Sequence, residues 1–480
     1  MAVKNPAPGG GIGGIIEKNA KVPTLDECLA AASDTRCLEV REGALEEIPS
    51  ILDRYFPSGD KAVFLAADEN TFKAAGKAVL DILAAAGIET AGTHIFETGR
   101  DRLHAEYRHV ETFKAALDAA RSLIRGKILV PLAAGSGTVN DLVKRAASEL
   151  TLPYLCVPTA ASVDGYTAYG AALLYDGFKQ SLSCAAPLAV AADSAVLAAA
   201  PAYLSSSGFG DLAGKIIAGG DWIIADRAFA AGGPGEPVPG SAAIETTAWA
   251  MVQRPLRNNL ARSVDAARGD REAVRVLFEG LGVTGFALQY MKDSRAVSGC
   301  EHMWSHVWEM ENLERDGIPV THGHKVAMGT LAGAAFTECL FMEKPRADVP
   351  VPSWAEREAE VRRAFAHLPA ALPAVLKTAR DKFIEDPVRV RRLREAVLDG
   401  WEGMKAALAE QIPPYGELRD LLHRAQCPVV PGEIGLTGPR VIAAARSAQM
   451  IRKRFTVLDL AYETGVFEDV LKRMEASGEY

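Results

Sequence analysis

Short apolar runs alternate with amphipathic segments between about residues 36 and 192. The segments over residues 70–87 and 111–125 have helical periodicity. Six runs between or beside such segments have the length and composition of strands: RCLEV, KAVFLAA, THIFE, KILVPLAA, PYLCVPT and PLAVAAD. Strands that alternate with helices indicate a mostly parallel sheet covered by helices on both faces.

The pattern changes near residue 198, after which helical segments follow one another and few β-rich runs remain. We therefore predict a flexible N-terminal arm over residues 1–23, an α/β domain over 24–198 and a helical domain over 199–480. Gly and Pro residues predict a loop over 230–240, and a charged helical extension follows from about residue 354.

Composition narrows the function classes. The formal net charge of −8 lacks the basic excess of most nucleic-acid binders, so we expect no nucleic-acid partner. No run of 18 or more apolar residues occurs, so we expect no membrane insertion. The seven cysteines are widely spaced and include no CxxC pair, which favours reduced thiols and a soluble, cytoplasmic protein.

Two polar loops follow predicted strands. The first, AAGSGTVND, contains Gly135 and Gly137, which let the backbone turn tightly before a helix whose free N–H groups suit a pyrophosphate. The second, PTAASVDG, presents Thr159 and Ser162 at a strand end, where ligands bind in open α/β sheets. A simple strand-to-helix turn remains the alternative for each. Asp68 also ends a strand, and its carboxylate suits either an adenine-ribose hydroxyl or a helix N-cap.

Candidate metal ligands lie further along the chain. His302 and His306 are four residues apart and share one helix face, and His322 opens the next helical segment. Asp211, in GFGDLAGK, is expected to begin a helix, with Lys215 one turn later on the same face. Converging imidazoles and one carboxylate can form a three-ligand site with open positions. The alternatives are a capping aspartate and a pair of partly exposed helix histidines.

These motifs resemble those of the bacterial-type glycerol-1-phosphate dehydrogenases, within the superfamily of iron-type alcohol dehydrogenases, glycerol dehydrogenases and dehydroquinate synthases. The matching segments cover roughly residues 36–345: GSGTVND, PTAASVDGYTA, DGFKQS, PLAVAADSAVLAAAP, GFGDLAGK and SRAVSGCEHMWSHVWEM. The resemblance implies a Rossmann-like α/β N-terminal domain, an all-α C-terminal domain and an active site between them.

The resemblance also implies roles for individual residues. The metal ligands would be Asp211, His302 and His322, and Asp164 and His306 would contact substrate as catalytic residues. The cofactor contacts would be Asp68, Gly135, Ser136, Gly137, Thr138, Val139, Thr159 and Ser162. The implied cofactors are NAD or NADP and one Zn²⁺ or Ni²⁺, and a homodimer is expected. The implied reaction is reversible hydride transfer between NAD(P)H and glycerone phosphate. Lys215 and Arg295 are candidates for the substrate phosphate.

Two departures from the family pattern qualify these roles. Ala168 stands where the family tends to carry a hydroxyl residue, and the adjacent Thr167 could substitute for it. His324 competes with His322 as a ligand, although the residues around the HG pair favour His322.

Three other functions fit the same motifs. They are oxidation of an unphosphorylated polyol such as glycerol, a dehydroquinate-synthase-like cyclisation with catalytic NAD, and a non-catalytic binding role.

Overall fold

The computed structural model describes residues 21–57, 61–98, 103–124, 126–175, 178–232 and 237–478. Most of the predicted N-terminal arm, part of the predicted 230–240 loop and the first two residues of DGFKQS lie outside these ranges. The strands are β1 (Cys37–Arg41), β2 (Lys61–Asp68), β3 (Glu89–Phe96), β4 (Ile128–Gly135), β5 (Leu155–Pro158), β6 (Ala171–Tyr175), β7 (Phe178–Leu182), β8 (Ala189–Asp193), β9 (Glu314–Arg315) and β10 (Ile318–Pro319).

The α-helices of the described ranges fall into two groups. Those of the first 200 residues are α1 (Leu25–Ala31), α2 (Ile48–Tyr55), α3 (Glu69–Thr71), α4 (Lys77–Ala85), α5 (Tyr107–Leu123), α6 (Gly137–Glu149) and α7 (Ser194–Ala198). The remainder are α8 (Ala202–Gly232), α9 (Thr246–Ser263), α10 (Arg271–Met291), α11 (Cys300–Met310), α12 (His322–Met342), α13 (Trp354–Ala364), α14 (Leu372–Lys382), α15 (Pro387–Asp399), α16 (Trp401–Gln411), α17 (Tyr415–Arg424), α18 (Gly438–Met450), α19 (Val457–Glu463) and α20 (Phe467–Ser477).

All six predicted strands form one parallel sheet, in the order β1-β8-β5-β4-β2-β3. The central strands β2, β4, β5 and β8 are almost wholly buried, as their continuous apolar runs require in a sheet with both faces covered. The sheet followed by a helical remainder confirms the predicted fold class. The antiparallel hairpin β6–β7 was not among the predicted strands.

Strands β4 and β5 end side by side. Gly135 pairs with Pro158 at the last position of the ladder, and the backbone N–H of Thr159 donates to the Gly135 carbonyl at 3.1 Å. The two polar loops singled out in the sequence therefore leave the same edge of the sheet as neighbours.

Helix α8 corrects one expectation: Asp211 does not begin a helix but lies in the middle of α8, which starts at Ala202. Its serine- and glycine-rich first turns suggest a loop, yet the small residues serve packing. A Cβ on Gly210 would lie 2.4 Å from the carbonyl oxygen of Gly323, and one on Gly323 would lie 1.8 Å from that of Ser207. Two glycines thus let α8 and α12 approach at backbone contact.

The helices beyond residue 343 pack onto this helical unit. Trp304 of α11 donates its indole N–H to the Val441 carbonyl of α18 at 3.0 Å, and Asp221 of α8 accepts the backbone N–H of Val457 at 2.7 Å. The C-terminal helices are therefore part of the same core. No helix of the described ranges combines the length and apolarity needed to cross a membrane.

Candidate active site

The structure brings together one carboxylate and two imidazoles from three helices. Asp211 of α8, His302 of α11 and His322 at the start of α12 each offer a ligand atom, and these atoms lie within 4.8 Å of one another. His302 Nε2 is 3.5 Å from Asp211 Oδ1, and the two imidazole centroids are 5.4 Å apart. The close α8–α12 contact makes this convergence possible.

Buried carboxylates orient both imidazoles of the cluster and the neighbouring His306. Glu301 Oε1 lies 2.7 Å from His302 Nδ1, while Glu309 lies 2.7 Å from His322 Nδ1 and 3.0 Å from His306 Nδ1. A carboxylate oxygen only accepts, so each Nδ1 carries the hydrogen, and in the neutral ring each Nε2 keeps its lone pair. That tautomer is the one needed for an Nε2 metal ligand.

The positioning roles of Glu301 and Glu309 were missed in the sequence. The available signal was helical spacing, because Glu309 stands three residues after His306 and thus on the same face.

Lys215 lies between two carboxylates. Its ammonium is fully buried and pairs with Asp211 Oδ1 at 2.6 Å and Asp164 Oδ2 at 2.8 Å. Burial opposes ionisation of Asp211, but Lys215 and the neighbouring imidazoles outweigh it and hold the pKa of Asp211 below its usual range. Burial also opposes the charge of Lys215, whose two carboxylate partners nevertheless raise its pKa. Asp211 therefore remains an anionic ligand candidate.

His306 faces a cation instead. Its Nε2 lies 3.0 Å from Arg452 Nη2, so the imidazole accepts a hydrogen bond from the guanidinium. Burial, and then the charge of Arg452, lower the pKa of His306 to about 3. The ring is neutral at physiological pH and is an acceptor rather than a strong base.

A second group of metal-capable side chains already forms several hydrogen bonds within the protein. Asp221, Cys300 and Glu301 lie close together and fully buried. The oxygens of Asp221 accept the backbone N–H groups of Cys300 at 2.6 Å and Val457 at 2.7 Å, and Glu301 Oε1 accepts from His302. Burial, and then the neighbouring Glu301, raise the pKa of Asp221 to about 7. These bonds are structural, and they favour the first cluster as the metal site.

The first cofactor loop has the expected strand-loop-helix geometry. Ser136 occupies the N-cap of α6 without making a side-chain cap bond, so its hydroxyl does not compete with an anion for the first N–H groups of the helix. A Cβ on Gly135 would lie 2.4 Å from that of Val139, which is buried in the core, so glycine is required at the tight turn. Thr138 follows in the first turn of α6.

The second loop and Asp68 are both engaged within the protein. The Ser162 hydroxyl lies 3.2 Å from the Tyr166 hydroxyl, and Thr159 is buried beside Gly135. Asp68 is the N-cap of α3, where Oδ1 accepts from Asn70 and Thr71. The capping alternative is therefore correct, and a ribose contact through the other oxygen stays a prediction.

Thr167 does not replace the hydroxyl that the family tends to carry at position 168. Its side chain is fully buried and donates to the Gly282 carbonyl at 2.8 Å. His324 also faces away from the candidate metal site, because its Nε2 lies 3.1 Å from Ser206 Oγ. The choice of His322 over His324 thus agrees with the geometry.

Comparisons with known proteins identify the family. Residues 39–201 match the family described as iron-containing alcohol dehydrogenase. The glycerol-1-phosphate dehydrogenase of Bacillus subtilis is 33% identical over 300 residues, covering 62% of this chain and 71% of that protein. The chain belongs to the glycerol-1-phosphate dehydrogenase family.

Further comparisons give the extent of the sequence similarity and of the fold similarity. The Bacillus velezensis family member is 34% identical over 261 residues, and the chain spans only 61% of its length. A probable glycerol dehydrogenase from Sinorhizobium meliloti superposes with a TM-score of 0.56 over 93% of this chain and 98% of its own, at 16% identity. That likeness shows the shared fold.

The two residues considered for a substrate phosphate in this family member both have other partners. Lys215 is held by two carboxylates, and Arg295 Nη1 donates to the Gly240 carbonyl at 2.7 Å. Lys215 therefore has its charge compensated inside the site. Arg295 is turned toward a backbone carbonyl, while the Arg452 guanidinium touches His306.

Proposed function

We propose that this chain is a metal-dependent sn-glycerol-1-phosphate dehydrogenase that transfers hydride reversibly between NAD(P)H and glycerone phosphate. The observation that carries the proposal is the convergence of Asp211, His302 and His322, with the Nδ1–H of both imidazoles donated to buried carboxylates. The names of the relatives support the choice of substrate.

The donor set fits a divalent cation. One carboxylate and two imidazoles whose lone pairs are exposed at Nε2 suit Zn²⁺ or Ni²⁺. Such an ion supplies Lewis acidity toward the substrate oxygen, and the nicotinamide carries the hydride. The loop over residues 135–139 would hold the pyrophosphate, and Thr159, Ser162 and Asp68 would complete the cofactor contacts.

Protein groups around the donor set orient the substrate. Asp164, with one oxygen 2.8 Å from Lys215, would accept from a substrate hydroxyl. Once the hydrogen bond from Arg452 is released, His306 would accept a second hydroxyl at Nε2, and its low pKa favours this holding role over proton relay. Lys215 keeps Asp211 ionised and links it to Asp164.

The test is a glycerone phosphate reduction assay that follows NADH absorbance with metal-stripped protein before and after addition of Zn²⁺ or Ni²⁺. We expect activity only with metal in the wild type, none in His302→Ala, and wild-type activity in the control His324→Ala. Turnover in metal-stripped His302→Ala would eliminate the proposal. Faster turnover of glycerol than of glycerol 1-phosphate would favour the unphosphorylated-polyol alternative.

We further propose a homodimer and a cytoplasmic location, which light scattering of the purified protein and fractionation of the source cell would test.

A further inference from the structure

The C-terminal part of the chain contributes a cation to the candidate active site. Arg452 lies in the segment between α18 and α19, more than 100 residues beyond the last candidate ligand. Its Nη2 donates to His306 Nε2 at 3.0 Å and its Nη1 to Ser294 Oγ at 3.2 Å. These bonds use two of the five N–H groups of a guanidinium. Arg452 is thus separated from the proposed metal ligands by one imidazole.

Two more arginines, Arg454 and Arg295, belong to the same charged cluster as Arg452. Arg454 donates to Ser294 Oγ at 2.9 Å and to the Ser298 carbonyl. Arg295 lies between these two serines in the chain. Burial, and then repulsion from Arg452 and Arg295, lower the pKa of Arg454 to about 9. The three guanidiniums therefore feel one another's charge, as they would around an anion-binding position.

Direct ion pairs to this cluster are few, although the nearby carboxylates of Glu309, Asp293 and Glu301 oppose the lowering of the Arg452 pKa by burial. Within the described ranges, the ion pair that involves these arginines is a 3.4 Å contact between Arg454 and Asp293, whose side chain is 45% exposed. Two buried polar atoms there, Arg454 Nε and Ser298 Oγ, also lack a hydrogen-bond partner among the described residues. Buried polar atoms without a partner, beside clustered guanidiniums, are groups that an anionic ligand would satisfy.

We propose that Arg452 binds the phosphate of the substrate and so distinguishes phosphorylated from unphosphorylated polyols. This inference rests on the proposed function and assigns its phosphate subsite. Arg454 and Arg295 support the subsite from behind. A phosphate that takes the Arg452 N–H releases the lone pair of His306 Nε2, which then accepts a hydroxyl of the same substrate. Lys215 is excluded from the role because two carboxylates compensate its charge.

The test compares Arg452→Met with Lys453→Met, which removes one positive charge from an exposed neighbouring side chain. Binding of inorganic phosphate is measured by calorimetry on metal-loaded protein saturated with NADH, so that the cofactor loops are occupied. We expect the Kd of phosphate and the KM of glycerone phosphate to rise about 10- to 100-fold in Arg452→Met, as loss of a charge-assisted bond implies. Neither should change in Lys453→Met, and the KM of NADH should stay constant in both.

A second variant covers the case in which Arg452→Met fails to fold. Arg452→Lys keeps the charge without the planar fork, and we expect a smaller rise in both constants. An unchanged phosphate Kd in the folded Arg452 variants, or an equal loss of kcat with phosphorylated and unphosphorylated substrates, would overturn the assignment. If the wild type binds phosphate through Arg452 but does not reduce glycerone phosphate, the anion subsite stands and the proposed reaction fails.

Discussion

Glu309 allows the sharpest test of how the imidazoles are oriented. One carboxylate serves two rings, with Oε1 2.7 Å from His322 Nδ1 and Oε2 3.0 Å from His306 Nδ1. In Glu309→Gln, one of these oxygens becomes an NH₂ group, which cannot accept. The ring that faces it must then carry its hydrogen on Nε2 or lose the bond. If that ring is His322, the nitrogen proposed to bind metal is no longer a ligand. In the other orientation His322 keeps only a neutral acceptor in place of a charged one, so metal binding weakens in both.

The magnitude follows from the bond that is lost. A hydrogen bond to a charged group contributes about 1.5–3 kcal/mol, which corresponds to roughly 10- to 100-fold in affinity. Loss of an outer-shell partner of a metal ligand typically costs a similar factor. We therefore expect Glu309→Gln to bind Zn²⁺ or Ni²⁺ about 10- to 100-fold more weakly than the wild type.

The assay is metal competition against a chelator of known affinity. Glu311→Gln is the matched control, because Glu311 lies two residues away and pairs with Arg440 and His367 instead of the clustered imidazoles. We expect wild-type affinity in the control. Metal affinity within twofold of the wild type in Glu309→Gln would refute the argument that this carboxylate sets the tautomer.

Three further predictions concern stability and packing. Lys215→Met leaves two buried carboxylates without their cation and should lower the free energy of unfolding of the metal-free protein by about 3–5 kcal/mol, measured in urea. Gly323→Ala places a Cβ 1.8 Å from a backbone oxygen of α8, so it should cost about 1–3 kcal/mol and weaken metal binding, whereas Gly416→Ala, with open space around it, should do neither. Burial lowers the pKa of His324 from 6.5 to about 4, so wild-type stability should fall as pH drops from 6.5 toward 4, and thermal melts of His324→Gln should show a smaller fall.

The extent to which the sequence predicts this molecule depends on the range of the interactions involved. The six strands of the sheet are readable because a buried parallel strand must be apolar along its whole length. The hairpin β6–β7 was not predicted, and its two short strands lie outside the parallel sheet. Asp211 was misplaced at a helix start because the small residues before it, which serve contact with α12, resemble a turn.

The candidate site also contains residues that local sequence predicts and residues that only long-range packing brings together. The candidate ligands carry recognisable chemistry, and one of them, His302, shares α11 with His306. Glu309 could be predicted from spacing, but Arg452 could not, because it reaches His306 from 146 residues away along the chain. Such a contact depends on how α18 and α19 pack against α11, which no local pattern contains.

The central claim is tested most directly by anomalous diffraction from crystals of the protein loaded with Zn²⁺ or Ni²⁺. We expect one strong peak per chain, with Asp211, His302 and His322 as ligands and, for Zn²⁺, bonds to Nε2 of about 2.0–2.1 Å. A peak between Asp221, Cys300 and Glu301 instead, or no peak beside the three proposed ligands, would contradict the account.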